Sequence, residues 1–280
     1  MELLLALLAF LLGLPSALVG PGDEPGSVTI PLDGEAGAGT PRIHGARGRP
    51  LVVLDAGHGG RDPGAISPFG QRREKDVTLA IARAIRDELA AAGRVRVALT
   101  REEDRFLVLA ERYEVARKLG AELFISIHAD ASPSNDAARG ATIYTLSEVA
   151  SDREAAIIAQ QQNEADRIGG APLSKDEGVN RILIDLAQRE SMNVSADFAA
   201  LLRREAEPFF PFRPDFHRFA SLVVLKAPDV PSILFETGYL TNAVDTLYIH
   251  SPEGQKQIAL GMRRAIETHF ARRMVDVARR

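Results

Sequence analysis

Apolar positions along the chain follow two rhythms. Leu51–Leu54, Val95–Leu99, Leu123–Ile127, Ala141–Leu146, Leu222–Leu225 and Ser232–Phe235 are short runs rich in aliphatic residues, of strand length. Between them lie stretches with helical spacing. From Lys75 to Ala92 the residues Val77, Leu79, Ala80, Ile81, Ala84, Ile85 and Leu89 mark one stripe, and Gly93 offers a left-handed cap. Phe106–Leu119 is helical again and ends at Gly120, and Pro252–Phe270 closes the pattern as a helix. Strand, loop and helix in alternation predict a mainly parallel sheet covered on both faces. One segment, residues 147–210, interrupts the alternation. It reads as a polar helix from about Asp152 to Ile168, a break at Gly169–Leu173, and a second helix from about Val179 to Ala206. The second helix carries an apolar stripe that includes Ile182, Leu183, Leu186, Val194, Phe198, Leu201 and Leu202, which must be buried against something.

Three of the six runs lead into a potential metal ligand or acid. Leu51–Leu54 leads through Asp55 to His58, Ile127 runs into His128, and Phe235 into Glu236. In open α/β sheets the carboxyl ends of the strands are where ligands bind. Glu74 begins the helix that follows the first run. Two histidines and a carboxylate, with one open position, make the ligand set of a catalytic zinc, and a remaining carboxylate can act as base. Plain alternatives stand beside this. Glu74 can be an acid complementing a helix start, and Glu236 a strand-end acid holding a loop. Asp55 and Asp130 are expected to orient histidines or loops rather than bind a metal. His44, His217, His250 and His269 are read as surface or packing residues.

Composition narrows the classes. The 280 residues include 34 Lys and Arg against 38 Asp and Glu, intermixed, so no basic stripe is available for nucleic acid. With no cysteine, disulfides, thiolate zinc sites and a cysteine nucleophile are all excluded, and any metal must be held by nitrogen and oxygen. Leu3–Leu14 is an apolar run followed by small residues, which predicts an export signal over residues 1–20. The run is too short for a stable membrane span. Residues 21–50, rich in Gly and Pro, read as a linker, and 51–272 as the folded domain.

Five motifs then resemble one family. DAGHGGRDPGA at Asp55–Ala65, REKDV at Arg73–Val77, LTREEDRFLVLAER at Leu99–Arg112, SIHAD at Ser126–Asp130 and PSILFETGYLTN at Pro231–Asn242 stand in the order found in the zinc-dependent N-acetylmuramoyl-L-alanine amidases of cell division. The resemblance spans about Leu51 to Phe270. It implies a mixed, mostly parallel six-stranded sheet flanked by helices. It also implies Zn2+ held by His58, Glu74 and His128, Glu236 as the catalytic carboxylate, and cleavage of the amide between N-acetylmuramic acid and L-alanine in peptidoglycan. It further implies a periplasmic enzyme of cell-wall remodelling and daughter-cell separation, whose helical insertion covers the active site and is displaced by an activator protein. Glu154, after the capping pair Ser151 and Asp152, is the expected blocking ligand, with Glu148 and Glu164 as rivals. Arg101, Asp104 and Arg112 match family positions and are read as capping and bridging the helix after the second strand; Tyr239 and Asn242 as shaping the Glu236 loop. Residues 1–50 are too short for the β-rich targeting domain that many relatives carry. The competing readings are a zinc peptidase on stem peptides, a non-catalytic wall-binding protein with a permanently blocked site, and a purely structural zinc.

Overall fold

Strands buried on both faces need helices on each side, and the computed structural model meets that need with a seven-stranded sheet between two helical layers. It describes residues 41–129, 131, 132, 137–168 and 181–278. The expected signal, most of the linker, Asp130 and the break between the inserted helices lie outside these residues.

In chain order the elements are β1 (Ile43–His44), β2 (Leu51–Ala56), α1 (Glu74–Ala92), β3 (Arg96–Leu99), α2 (Leu109–Lys118), β4 (Leu123–His128) and β5 (Ala141–Leu146). There follow α3 (Arg153–Asn163), the single turn α4 (Ala165–Ile168), α5 (Arg181–Ala206), β6 (Phe212–Ala220), a 3-10 turn at Val223–Leu225, β7 (Ser232–Glu236), α6 (Ala243–His250) and α7 (Pro252–Ala278). The sheet order is β1-β3-β2-β4-β7-β5-β6. β3, β2, β4 and β7 run parallel; β1 and β5 each run antiparallel to their neighbour, and β5 pairs in parallel with β6.

Alternate residues of β2 divide between the layers. Val52 and Leu54 join a core formed with α1, the end of α5 and α7, while Leu51 and Val53 join a second core with α2 and α3. The three central strands β2, β4 and β7 are buried throughout, which is why their sequences lack alternation.

The sheet has seven strands rather than six, and the membership differs. Leu222–Leu225 is not a strand but leads into a 3-10 turn with Leu222, Val224 and Leu225 buried. An apolar run of four satisfies either geometry, because burial and not periodicity drives it. β6 lies at the sheet edge and carries Pro214, Arg213, Asp215 and Arg218, with a mostly half-exposed surface. Such edge strands have neither a continuous apolar run nor strict alternation. The short α6 also escapes the pattern; Asn242 caps it by accepting from the Val244 and Asp245 amides.

Within the interrupting segment, Asp152 caps α3 by accepting from the Ala155 amide at 2.9 Å, as Ser151-Asp152 suggested. α5 is not wholly peripheral. Phe198, Ala199, Leu201, Leu202 and Ala206 belong to the main core, whereas Leu186 near its start is 66% exposed.

Candidate active site

β2 ends in a buried acid. The Asp55 carboxylate accepts from Thr100 Oγ1 at 2.6 Å, Ser126 Oγ at 2.7 Å and Arg112 Nη1 at 3.0 Å. Burial by itself would raise this carboxyl; Arg112 and the two hydroxyls outweigh it and hold it below its ordinary value. Arg112 also donates to the carbonyls of Ala56 and His58, and Arg101 donates to those of Ala56, Gly57 and Lys75. Both guanidiniums are fully buried. They pin the loop that carries His58: Arg112, itself on α2, bridges that helix to the loop, whereas Arg101 neither caps nor bridges α2, whose N-cap Val108 makes no side-chain cap bond. The physical reason is that the turn after β2 leaves several carbonyls without ladder partners, and a planar fork of five donors can satisfy them at once. Asp104 joins the same loop by accepting from the Gly60 amide and from Lys75 Nζ, each at 2.7 Å.

The pinned turn bends sharply. His58 has a left-handed backbone, φ 60°, uncommon for a side chain of its size. A Cβ on Gly57 would overlap the His128 ring, so only glycine lets the two histidines approach. His58 Nδ1 lies 2.8 Å from Asp62 Oδ2, which fixes the ring and turns Nε2 inward. That Nε2 is 3.0 Å from Glu74 Oε2 but outside hydrogen-bonding geometry.

Glu74 opens α1 and reaches both histidines. Its Oε1 lies 2.9 Å from His128 Nδ1 and accepts from the Ala129 amide at 3.0 Å, and its Oε2 accepts from the Ala65 amide at 2.9 Å. The His58 and His128 rings meet edge-on, centroids 4.9 Å apart. One ligand atom from each of His58, Glu74 and His128 lies within 4.8 Å of the others, and all three residues are buried. The strand register sets His128 of β4 beside Glu236 of β7, so the buried Glu236 shares the edge with this cluster.

Electrostatics favours a positive charge at the centre. Burial works against a charged His58, yet Glu74 and Asp62 prevail and push it up to about 9. Glu74 is held well below the carboxylate range, since the two histidines overcome its burial. Burial dominates at His128 and lowers it. Two inward nitrogens and a carboxylate oxygen oriented by amides suit a divalent cation, which would supply the positive charge a proton otherwise brings.

The sequence-predicted His58, Glu74, His128 and Glu236 thus converge on one sheet edge. Glu154 is not in that group: its carboxylate lies 3.0 Å from Arg213 Nη1 and 3.1 Å from Arg218 Nη1, both on β6. Glu164, at the end of α3, pairs with Arg167. Sequence reasoning missed Asp62, four residues after His58 inside a quoted motif, and Arg213, which donates to the Tyr239 hydroxyl at 2.7 Å. Asp62 had a signal in its spacing; Arg213 had none.

Residues 52–268 match the family model described as N-acetylmuramoyl-L-alanine amidase. The chain belongs to that family. It is 40% identical over 232 residues to the N-acetylmuramoyl-L-alanine amidase AmiC of Neisseria meningitidis, covering 80% of this chain and 55% of that protein. It is 35% identical over 236 residues to AmiA of Escherichia coli, covering 84% and 81%. The chain spans about half the length of the AmiC proteins it matches. Among solved structures, the amidase AmiC2 of Nostoc punctiforme is similar, with 27% identity, a TM-score of 0.57, and 80% and 98% of the two chains covered. A mixed sheet flanked by helices is common to this amidase and the present chain.

Proposed function

We propose that the protein is a zinc-dependent N-acetylmuramoyl-L-alanine amidase that hydrolyses the amide between N-acetylmuramic acid and the first alanine of the stem peptide in peptidoglycan. The observation that carries the reading is the meeting of His58, Glu74 and His128 ligand atoms within 4.8 Å on the edge where Glu236 ends β7. Family membership and named relatives support the substrate. His58, Glu74 and His128 would hold the zinc, with Asp62 fixing the His58 ring and the Ala65 and Ala129 amides fixing Glu74. When bound, zinc lowers the pKa of water to about 7 and polarises a carbonyl oxygen. Glu236 takes a proton from the attacking water and returns it to the departing alanine nitrogen, so that the amide bond breaks to a free lactyl carboxylate and a free amine.

The same reading places the enzyme in the periplasm after export on the leader of residues 1–20, in cell-wall remodelling and daughter-cell separation. The inserted segment 147–210 holds the enzyme inactive until an activator protein binds it. The partly exposed start of α5 at Leu186 supports such a contact. Among the described residues no helix is long and apolar enough to cross a membrane.

Metal content and muropeptide products of wild type and Glu236→Gln test the proposal. Wild type carries zinc and releases intact stem peptides from sacculi; the variant keeps zinc and loses activity by about 10²–10⁴-fold. Shortened peptides would make the protein a peptidase. Zinc without turnover, even with the insertion's contacts broken, would make it a binding protein, and unfolding on chelation a structural zinc domain.

A further inference from the structure

Two loops leave the catalytic edge and lean on each other beyond the site. The first, between Asp62 and Glu74, turns at Ser67–Phe69, where Ser67 Oγ donates to Leu240 O at 2.7 Å and receives the Phe69 amide at 3.1 Å. The second follows Glu236, and Thr241 Oγ1 in it accepts from the Ser132 amide, just past His128, at 3.1 Å. Thr246 Oγ1 donates to the same Leu240 carbonyl at 3.0 Å. Between the loops lies a cleft of about 380 Å³ lined by Pro68, Phe69, Thr241, Asn242, Ala243 and Val244.

Its chemistry is distinctive for a chain with 26% charged residues: not one lining residue is charged. Phe69 is 43% and Val244 61% exposed, and Thr241 and Asn242 complete the walls, with Thr241 Oγ1 and Asn242 Oδ1 accepting from backbone amides. Phe69 follows Ala65 by four residues, so it lies within about 14 Å of the amide that bonds Glu74. A polymer seated at the reacting centre would reach it within a few units.

We propose that this cleft is a subsite for the glycan strand of peptidoglycan, with a sugar ring laid against Phe69. The inference rests on the amidase reading. In that substrate the two halves flanking the scissile amide differ in charge: the stem peptide carries carboxylates, whereas N-acetylglucosamine is neutral and presents hydroxyls, an acetyl methyl and a C–H face. An uncharged wall with one exposed aromatic ring matches the C–H face of the sugar half and offers the peptide half no counter-charge. Phe69 is therefore a specificity-determining residue that contributes to substrate affinity and not to the bond-breaking step.

The test is binding of a peptide-free N-acetylglucosamine tetramer to the full-length protein, followed by calorimetry or NMR. Phe69→Ala weakens it at least fivefold at unchanged Tm, and Phe69→Tyr, which keeps the ring, stays within twofold of wild type. Failure of wild type to bind the tetramer, or equal binding by Phe69→Ala, overturns the proposal. Phe69-dependent binding of free stem peptide instead overturns it too, by giving the cleft to the other half. Because binding requires no turnover, these outcomes judge the cleft alone, while release of stem peptides from sacculi judges the amidase reading.

Discussion

Around the proposed zinc site, single atoms decide whether three side chains can act together. Asp62 touches only the far nitrogen of His58, at 2.8 Å, yet it selects which nitrogen faces the centre. Asp62→Asn is expected to lower zinc affinity about 10- to 100-fold with little change in fold, as measured by competition with a metal indicator. Unaltered affinity would reduce Asp62 to a loop staple. Gly57→Ala acts by overlap, since its new methyl collides with the His128 ring and must displace it or the loop. It should abolish stoichiometric zinc binding in a protein whose far-ultraviolet circular dichroism is retained. Arg112 is different in kind, because it is the cation for the fully buried Asp55 as well as the donor for three carbonyls, those of Ala56, His58 and Leu107. Arg112→Met leaves that carboxylate without its charge partner, and urea denaturation should show a loss of about 3–5 kcal/mol. A loss below about 1 kcal/mol would mean that Asp55 is held well enough by Thr100 and Ser126 alone.

At the scale of elements, α7 packs against α5 through a buried histidine. His269 meets Phe198 and Phe270 edge-on, is 6% exposed, and its Nε2 has no hydrogen-bond partner. Burial, helped by Arg273, lowers it from 6.5 to about 4. The unfolded chain therefore takes up a proton first as pH falls. Stability from this group is complete above about pH 6.5 and is lost progressively down to about pH 4, by up to roughly 3 kcal/mol. His269→Leu should leave stability at pH 7 equal or higher and flatten the decline between pH 6.5 and 4; parallel wild-type and variant curves would exclude His269 as the cause. The sequence left this histidine as either surface or packing and could say no more, because its partner Phe198 lies 71 positions away. The same limit recurs across the fold. β2, β4, β7 and α1 were legible because burial writes itself into unbroken runs or a 3.6-residue stripe. β6 was not, since an edge strand meets solvent on one side and its charges are spent on neighbours such as Glu154. In the site, the four groups named by motif converge, but the guanidiniums that aim the His58 loop come from 43 and 54 positions beyond it and show their role only in space.

Over the whole molecule the open question is what keeps the inserted segment in place. Glu154 of α3 is gripped by Arg213 and Arg218 of β6, and Asp152 of the same helix start lies 2.8 Å from Arg218. Arg213 also donates to the Tyr239 hydroxyl and lies over its ring at 5.4 Å, three residues past Glu236. A chain of contacts thus runs from the insertion through the edge strand to the loop behind Glu236, the proposed catalytic carboxylate. Were Glu154 to block the zinc directly, it would have to abandon both guanidiniums, and a variant lacking Arg213 would free it for that role. Were the ion pairs themselves the restraint, removing either side would loosen the insertion. The two arrangements give opposite results for Arg213→Ala. The geometry favours the restraint, so Glu154→Ala and Arg213→Ala should both raise stem-peptide release from sacculi in the absence of activator, severalfold and to similar extents. A rise with Glu154→Ala and a fall or no change with Arg213→Ala would return Glu154 to the metal, and no rise with either would leave these contacts as plain packing between α3 and β6.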